Sequence, residues 1–407
     1  MSKIRLAFIG CGGMAGAHLS GYIELKKKGL DIFDFVALAD PAEERTAKFA
    51  ERISEVQSSP KVEIYTDLEK MLKEQKPDAA DICTPHFLHH NHAIACSESG
   101  VHAIVEKPLG VTVRAGRKMV ESSQKHGTIL AVAEQVRRWI SSRAVAWAIH
   151  SGMIGTPRMF FSQGTGGAKI DPANLVRDRQ LSWRQSKLTG GGGPIFDFGV
   201  HYLDLLMYFF GDIESVYAHT GRFSGLKYKD SDGNPAEPTV EDTSIANLKF
   251  KSGVVGTWNW SGGVPGKSYS FTVYYGSKGS IQSGGVYPTS PELQLWDGTV
   301  KETSEFINEF LSTVDEATIH RYFPPEVFPE PAKVGGNHGV VLEVYDFLNA
   351  VREQRRPELD GWDGLKAQAI PIAFFESSTC GQAVKVDDVL SERVDAYQQE
   401  INDKWQI

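Results

Sequence analysis

The sequence predicts an α/β domain built on a doubly wound parallel sheet, followed by an α+β domain with a large, mostly antiparallel open sheet. Three observations predict it. Short apolar runs alternate with amphipathic stretches through the first third of the chain, the pattern of a parallel sheet with helices on both faces. After about Gln135 strand-like segments of period two take over. The chain has 407 residues, more than one hydrophobic core usually organises. The units are expected at residues 1–136 and 137–407, with a late helix, about 361–379, packing back on the first unit.

In the first unit Ile4 to Ile9, Phe35 to Ala39, Ala79 to Cys83, Ala103 to Val105 and Ile129 to Ala133 read as buried strands. Helices are expected over Met14 to Lys28, Ala42 to Ile53, Asp67 to Lys73, His90 to Ser99 and Val113 to His126. In the second unit strands are expected at Arg158 to Gln163, Ile213 to Thr220, Ser244 to Phe250, Val254 to Trp260 and Tyr269 to Tyr275. Helices are expected at Arg143 to His150, His201 to Phe209, Val340 to Val351 and Leu365 to Ser377. Ser280 to Gly336 is rich in Pro, Gly and Ser and reads as long irregular loops over a pocket.

Composition narrows the function. With 41% hydrophobic and 23% charged residues the chain is an ordinary globular protein. Its net charge of −8 gives no reason to expect nucleic acid or an anionic membrane as partner. No apolar run approaches the roughly 20 residues of a membrane span, and no signal peptide precedes the first strand. Cys11, Cys83, Cys96 and Cys380 form no metal or disulfide spacing, which fits a reduced, cytoplasmic setting. No metal site is expected; the histidines at 86, 89, 90 and 92 lack complementary acids or thiols.

The first strand runs into Gly10-Cys11-Gly12-Gly13-Met14-Ala15-Gly16 and opens a helix. This is G-x-G-x-x-A in the context that a dinucleotide fingerprint requires, and it predicts a Rossmann domain. Gly10 permits the tight turn, Gly12 admits a pyrophosphate, and Ala15 lets helix and strand pack closely. The helix N-terminus, at Gly13 and Met14, offers free N–H groups to phosphate. Asp40 ends the second strand, where a carboxylate accepts bonds from both ribose hydroxyls and repels a 2′-phosphate. The expected cofactor is therefore NAD rather than NADP, although Arg45 stands close enough in sequence to serve a 2′-phosphate. The plainer alternatives are a tight loop at the glycines and a helix cap at Asp40.

Two further motifs carry chemistry. Glu106-Lys107-Pro108 follows a strand directly, so Lys107 should stand at the carboxyl end of the sheet, where such folds bind ligands. The run Gly190 to Gly193 leads to Asp197, His201 and Asp204. Asp197 and His201 are four apart and share a face if the segment is helical there. Asp204 reads as structural, bonding backbone near the glycines.

At these residues the chain resembles the glucose–fructose oxidoreductase and inositol dehydrogenase family. The resemblance runs through the glycine turn, Thr84-Pro85-His86-Phe87-Leu88-His89, Gly100-Val101-His102, Glu106-Lys107-Pro108, Trp183-Arg184, the glycine run with Asp197, His201 and Asp204, and Val240-Glu241-Asp242-Thr243. It implies an NAD-dependent oxidoreductase that moves a hydride between nicotinamide and a secondary hydroxyl of a sugar, cyclitol or glycoside. It implies Lys107, Asp197 and His201 as catalytic and substrate-binding residues, with Asp197 holding the His201 imidazole. Arg137 joins them at the substrate. Thr84, Pro85, His86, His89, Glu106, Gln135, Trp183 and Arg184 join the glycine turn and Asp40 at the cofactor. A homodimer or homotetramer is implied as well.

The chain departs from the family pattern at the pocket mouth. His86 stands where Asn is common, Glu134-Gln135 replaces Glu-Asn before Arg137-Arg138, and the loop from Gly221 to Pro238 is long. Two other outcomes share these residues: a glycoside hydrolase that uses NAD transiently, and a non-catalytic sugar- or NAD-sensing regulator.

Overall fold

The computed structural model describes residues 2–166, 170–336 and 338–407. Its first part alternates strand and helix: β1 (Ile4–Ile9), α1 (Gly13–Lys27), β2 (Phe33–Ala39), α2 (Glu43–Ser54), β3 (Glu63–Tyr65), α3 (Leu68–Gln75), β4 (Ala79–Ile82), α4 (His86–Glu98), β5 (His102–Glu106), α5 (Val113–His126) and β6 (Leu130–Ala133). The six strands form one parallel sheet in the order β3-β2-β1-β4-β5-β6. The order reverses between β1 and β4, and such a reversal opens a crevice at the carboxyl ends of the strands. Strands β1, β2, β4, β5 and β6 are nearly continuous in buried residues, as a sheet covered on both faces demands.

Two elements differ from the sequence expectation here. The edge strand β3 is three residues long and half exposed, too short to carry a period. Helix α4 begins at His86, a full turn before the expected His90. Its buried face is made by His86, His89 and His90, so apolar periodicity under-reads it.

The second part opens with α6 (Ile140–His150), β7 (Pro157–Thr165) and β8 (Val176–Gln180). Short helices α7 (Lys187–Gly190) and α8 (Pro194–Asp197) precede α9 (Gly199–Phe210). Strands β9 (Ile213–Gly221), β10 (Lys227–Lys229), β11 (Pro235–Ala236), β12 (Thr243–Phe250), β13 (Val255–Ser261), β14 (Tyr269–Gly276), β15 (Gly279–Ser283), β16 (Glu292–Leu295) and β17 (Val300–Lys301) follow. The chain ends through α10 (Thr303–Thr313), α11 (Glu316–Tyr322), α12 (His338–Glu353), α13 (Gly361–Cys380), β18 (Val384–Lys385) and two short helices. Nine strands form an open sheet in the order β17-β16-β15-β14-β7-β13-β12-β9-β18, antiparallel except for the β7–β13 pair. Strands β8, β10 and β11 form a separate small sheet, and β10 and β11 lie within the loop expected from Gly221 to Pro238.

The stretch from 280 to 336 is not irregular: it holds three strands and two helices. Phe306, Phe310, Ile319, Phe323 and Val327 are all buried, so this segment builds its own part of the core between its prolines. Helix α13 is buried almost all round and packs on α5, α9 and β9, tying the two sheets together. Helix α12 packs along α1. One continuous hydrophobic cluster therefore runs through both parts.

A buried ion pair lies in this junction. Arg137 Nε donates to Asp204 Oδ2 at 2.7 Å, and a second guanidinium nitrogen bonds Oδ1. Asp204 is only 1% exposed, and it bonds this arginine rather than the backbone near the glycines. Removing one partner of such a pair strands a buried charge, at a cost of about 3–5 kcal/mol. Arg137→Ala is expected to lower the unfolding free energy by that amount, read as a lower denaturant midpoint. Lys48→Ala, which removes an exposed pair with Glu44, should leave it unchanged. Equal midpoints for both variants would contradict the assignment.

Candidate active site

A cavity of about 940 Å³ opens at the carboxyl ends of β1, β4 and β5. Gly10, Gly12, Gly13 and Met14 form one wall. Gly10 has φ +86°, and a Cβ there would lie 2.6 Å from the Cys83 carbonyl oxygen, so only glycine turns the chain at this point. A Cβ on Gly12 or Gly13 would meet nothing within 4 Å. That free space above a helix N-terminus is a cradle that a pyrophosphate fits. Ala15 is fully buried and does not line the cavity; it serves the packing of α1 on β1.

Asp40 is 5% exposed at the far end of the same wall. Its Oδ2 accepts from the Cys11 N–H and its Oδ1 from the Ala42 N–H, each at 2.8 Å. These bonds hold the carboxylate at the cavity edge with lone pairs left for ribose hydroxyls. Arg45 stands 4.0 Å from Asp40, with its side chain 61% exposed.

The floor comes from Thr84, Pro85, His86 and His89. His89 places its two ring nitrogens 2.9 Å from the carbonyls of Thr84 and Pro108, joining the ends of β4 and β5. Burial pushes its pKa down to about 3, so the ring is neutral and donates one of these bonds. His86 Nδ1 donates to the Gly190 carbonyl at 2.8 Å, and its ring meets Trp183 edge-on. Trp183 and Arg184 form the rim, with the guanidinium over the indole at 4.2 Å.

Lys107 lines the cavity and meets Asp197, which, like His201, is not among the lining residues. Lys107 Nζ donates to Asp197 Oδ1 at 3.0 Å and to its carbonyl at 2.7 Å. Arg184 Nε donates to Asp197 Oδ2 at 3.0 Å, and His86 Nε2 lies 3.6 Å from Oδ1. Burial alone would raise the Asp197 pKa; His86, Lys107 and Arg184 outweigh it and hold the carboxyl well below the usual range. The glycine run makes this approach possible. Gly193 and Ile195 donate to the Glu241 carboxylate, and a Cβ on Gly193 would lie 2.3 Å from the Glu241 carbonyl oxygen.

His201 corrects one expectation. Asp197 does not hold its imidazole. Helix α8 ends at Asp197, α9 starts at Gly199, and the break between them turns the two side chains apart. Glu134, just after β6, binds His201 Nδ1 instead, with its two oxygens at 2.6 and 2.7 Å. Both residues are buried. A carboxylate on Nδ1 sets the tautomer and leaves Nε2 to take or return a proton. Tyr287 caps the ring at 6.2 Å and donates its hydroxyl to the Phe198 carbonyl.

Three other expected residues stand apart. Arg137 is spent on Asp204. Gln135 lines a second cavity, not the first. Glu106 lines the first cavity, but its carboxylate accepts from His18 Nε2 at 3.1 Å. His18 Nδ1 also meets Asp81 at 2.9 Å, and buried Glu343 approaches Nε2 at 3.5 Å. His18, Asp81 and Cys83 form the one cluster of metal-ligand type among the described residues. Burial would lower the His18 pKa, but Asp81 and Cys83 together outweigh it, so the imidazole is charged and occupies the cluster itself. Glu134, His18 and Tyr287 escaped sequence reasoning as site residues. Glu134 follows a parallel strand as Asp40 does, and that position was the available signal.

Comparison with known proteins agrees with this architecture. Residues 4–134 match a family model described as oxidoreductase family, NAD-binding Rossmann fold. Residues 147–386 match its partner, described as oxidoreductase family, C-terminal alpha/beta domain. The chain is similar to levoglucosan dehydrogenase of Pseudarthrobacter phenanthrenivorans, 25% identical over 96% of this chain and 100% of that one. It is similar to D-glucoside 3-dehydrogenase of Escherichia coli, 26% identical over 62% of this chain and 68% of that one. Among solved structures, levoglucosan dehydrogenase in complex with NADH superposes with a TM-score of 0.77 at 23% identity, over 95% of this chain and 99% of that one.

With NAD as cofactor, Asp40→Ala removes a charged acceptor pair from the ribose. The expected result is an NAD dissociation constant raised about tenfold or more, with a smaller change for NADP. Equal losses for both, measured by fluorescence titration, would show that Asp40 does not read the ribose.

Proposed function

Because the chain belongs to the glucose–fructose oxidoreductase and inositol dehydrogenase family, we propose that it transfers a hydride between NAD and a secondary hydroxyl of a sugar, cyclitol or glycoside. The observation that carries this reading is a pair of bonded groups: Lys107, which lines the cavity, on Asp197, and His201 clamped by Glu134. NAD, when bound, supplies the hydride acceptor. His201 Nε2 takes the hydroxyl proton as the carbon–hydrogen bond breaks, and returns it in the reverse direction. Lys107 places a positive charge where alkoxide character develops. Asp197 is the positioning residue for Lys107, and Glu134 plays that role for His201. Residues 1–136 carry the cofactor and 137–407 the substrate.

The relatives reported above are named as dehydrogenases of a D-glucoside and of levoglucosan. That favours net oxidation of a carbohydrate over transient-redox hydrolysis or sensing. The partner in this reading is a small carbohydrate. Four free cysteines support a reduced, cytoplasmic setting. The open face of the nine-stranded sheet, where Phe161, Val255, Ile245 and Tyr217 stand on neighbouring strands at 38% to 51% exposure, supports a homodimer or homotetramer.

The test is NADH formation by purified protein with NAD across sugars, cyclitols and glycosides. Turnover of one class is expected. Lys107→Ala and His201→Ala should each lower it by about 10² or more with NAD affinity nearly unchanged. Unchanged turnover in either variant removes that residue from the mechanism. Silence across the panel, with glycoside cleavage seen by chromatography, would favour the transient-redox hydrolase.

A further inference from the structure

A second cavity of about 630 Å³ shares no lining residue with the first, but two elements of the site run into its lining. On α1, Met14 lines the first cavity, and Ala17, Ser20 and Glu24 carry the same helix face down into the second. At the end of β6, Glu134 holds His201, and the next residue, Gln135, lines the second cavity. Between the two lie stacked rings: His201 meets Tyr287, and Tyr287 meets Trp139 edge-on at 5.7 Å. Trp139 is itself a wall of the second cavity.

The lining has a definite chemistry. It offers an aromatic side chain, Trp139, among Ser20, Gln135, Ser141, Thr289 and His338. Among the described residues Glu24 is its only acid, and no lysine or arginine lines it. Arg52, which bonds the lining residue Ser20 through Oγ, also donates to the Gly16 carbonyl. A site for phosphate or a nucleotide needs cations or free backbone N–H groups. Neutral hydroxyls and ether oxygens need hydroxyls, amides and an apolar ring face. The volume falls within the roughly 300–1,000 Å³ of small-molecule sites.

We propose that this cavity is a second substrate subsite, which holds the neutral aglycone or neighbouring sugar ring of a glycoside while the reacting ring sits at His201 and Lys107. The inference rests on the carbohydrate oxidoreductase reading above and adds to it a preference: neutral glycosides and disaccharides over free monosaccharides, and over phosphorylated or nucleotide-linked sugars. Trp139, Gln135 and Thr289 are then specificity residues.

The experiment compares kcat/KM for glucose, methyl glucoside, maltose, cellobiose and glucose 6-phosphate with NAD, in the wild type and two variants. Trp139→Ala removes the ring, and Thr289→Trp fills the cavity from an exposed loop without disturbing the core. Wild type is expected to favour a disaccharide or glycoside at least tenfold over glucose. Each variant should lower the preferred substrate's kcat/KM at least tenfold more than that of glucose, chiefly through KM, with NADH binding unchanged. Equal losses on all substrates, or glucose or its phosphate as the best substrate, would overturn the subsite and leave the oxidoreductase reading intact. If no sugar is turned over, maltose and cellobiose are titrated into NADH-loaded protein by calorimetry. Binding that Thr289→Trp abolishes supports the subsite; absence of binding overturns both readings.

Discussion

Buried carboxylates at the ends of parallel strands constrain everything around them. Asp40, Glu106 and Glu134 stand at the carboxyl ends of β2, β5 and β6, each 5% exposed or less. A buried charge without a partner costs several kcal/mol, so each draws a partner from another element. Asp40 takes backbone N–H groups of the glycine turn and of the start of α2. Glu106 takes His18 from α1, and Glu134 takes His201 from α9. The last of these reaches across the junction, and it ties a helix of the second part to the end of β6.

The same constraint pairs the charged groups off at different depths. Lys107 and Asp197 satisfy each other at the cavity surface. Arg137 and Asp204 do so out of reach beneath it. His18 sits charged among Asp81, Glu106 and Glu343, and burial pushes the Glu343 carboxyl well above its usual pKa, so that group keeps its proton. The core beneath the site therefore holds a charged imidazole between carboxylates, beside a protonated Glu343.

Much of this was legible in the sequence. The strand–glycine–helix opening, Asp40 and the residues after β4 and β5 declare themselves because each obeys a local rule: a turn that needs glycine, a strand that ends in an acid. The long apolar periods of α1, α5, α9 and α13 placed the helices for the same reason. What escaped depends on partners far apart in the chain. Helix α4 buries histidines, so its first turn reads as polar. The segment from 280 to 336 buries Phe306 and Phe310 between prolines, and composition hides the pattern. The spacing of Asp197 and His201 suggested a pair, but Phe198 interrupts the helix and gives each a different partner. Glu134 is 67 residues from His201, a separation no local rule spans.

The most direct test of the Glu134–His201 clamp is kcat/KM for the preferred carbohydrate in wild type and Glu134→Gln, with NAD affinity measured beside it by fluorescence titration. The Glu134 carboxylate fixes the ring through Nδ1, so its loss should leave Nε2 poorly aimed. The account predicts a turnover at least tenfold lower and an unchanged affinity for NAD. A Glu134→Gln enzyme with wild-type turnover would show that the Nδ1 clamp does not prepare His201, and the central claim would fall.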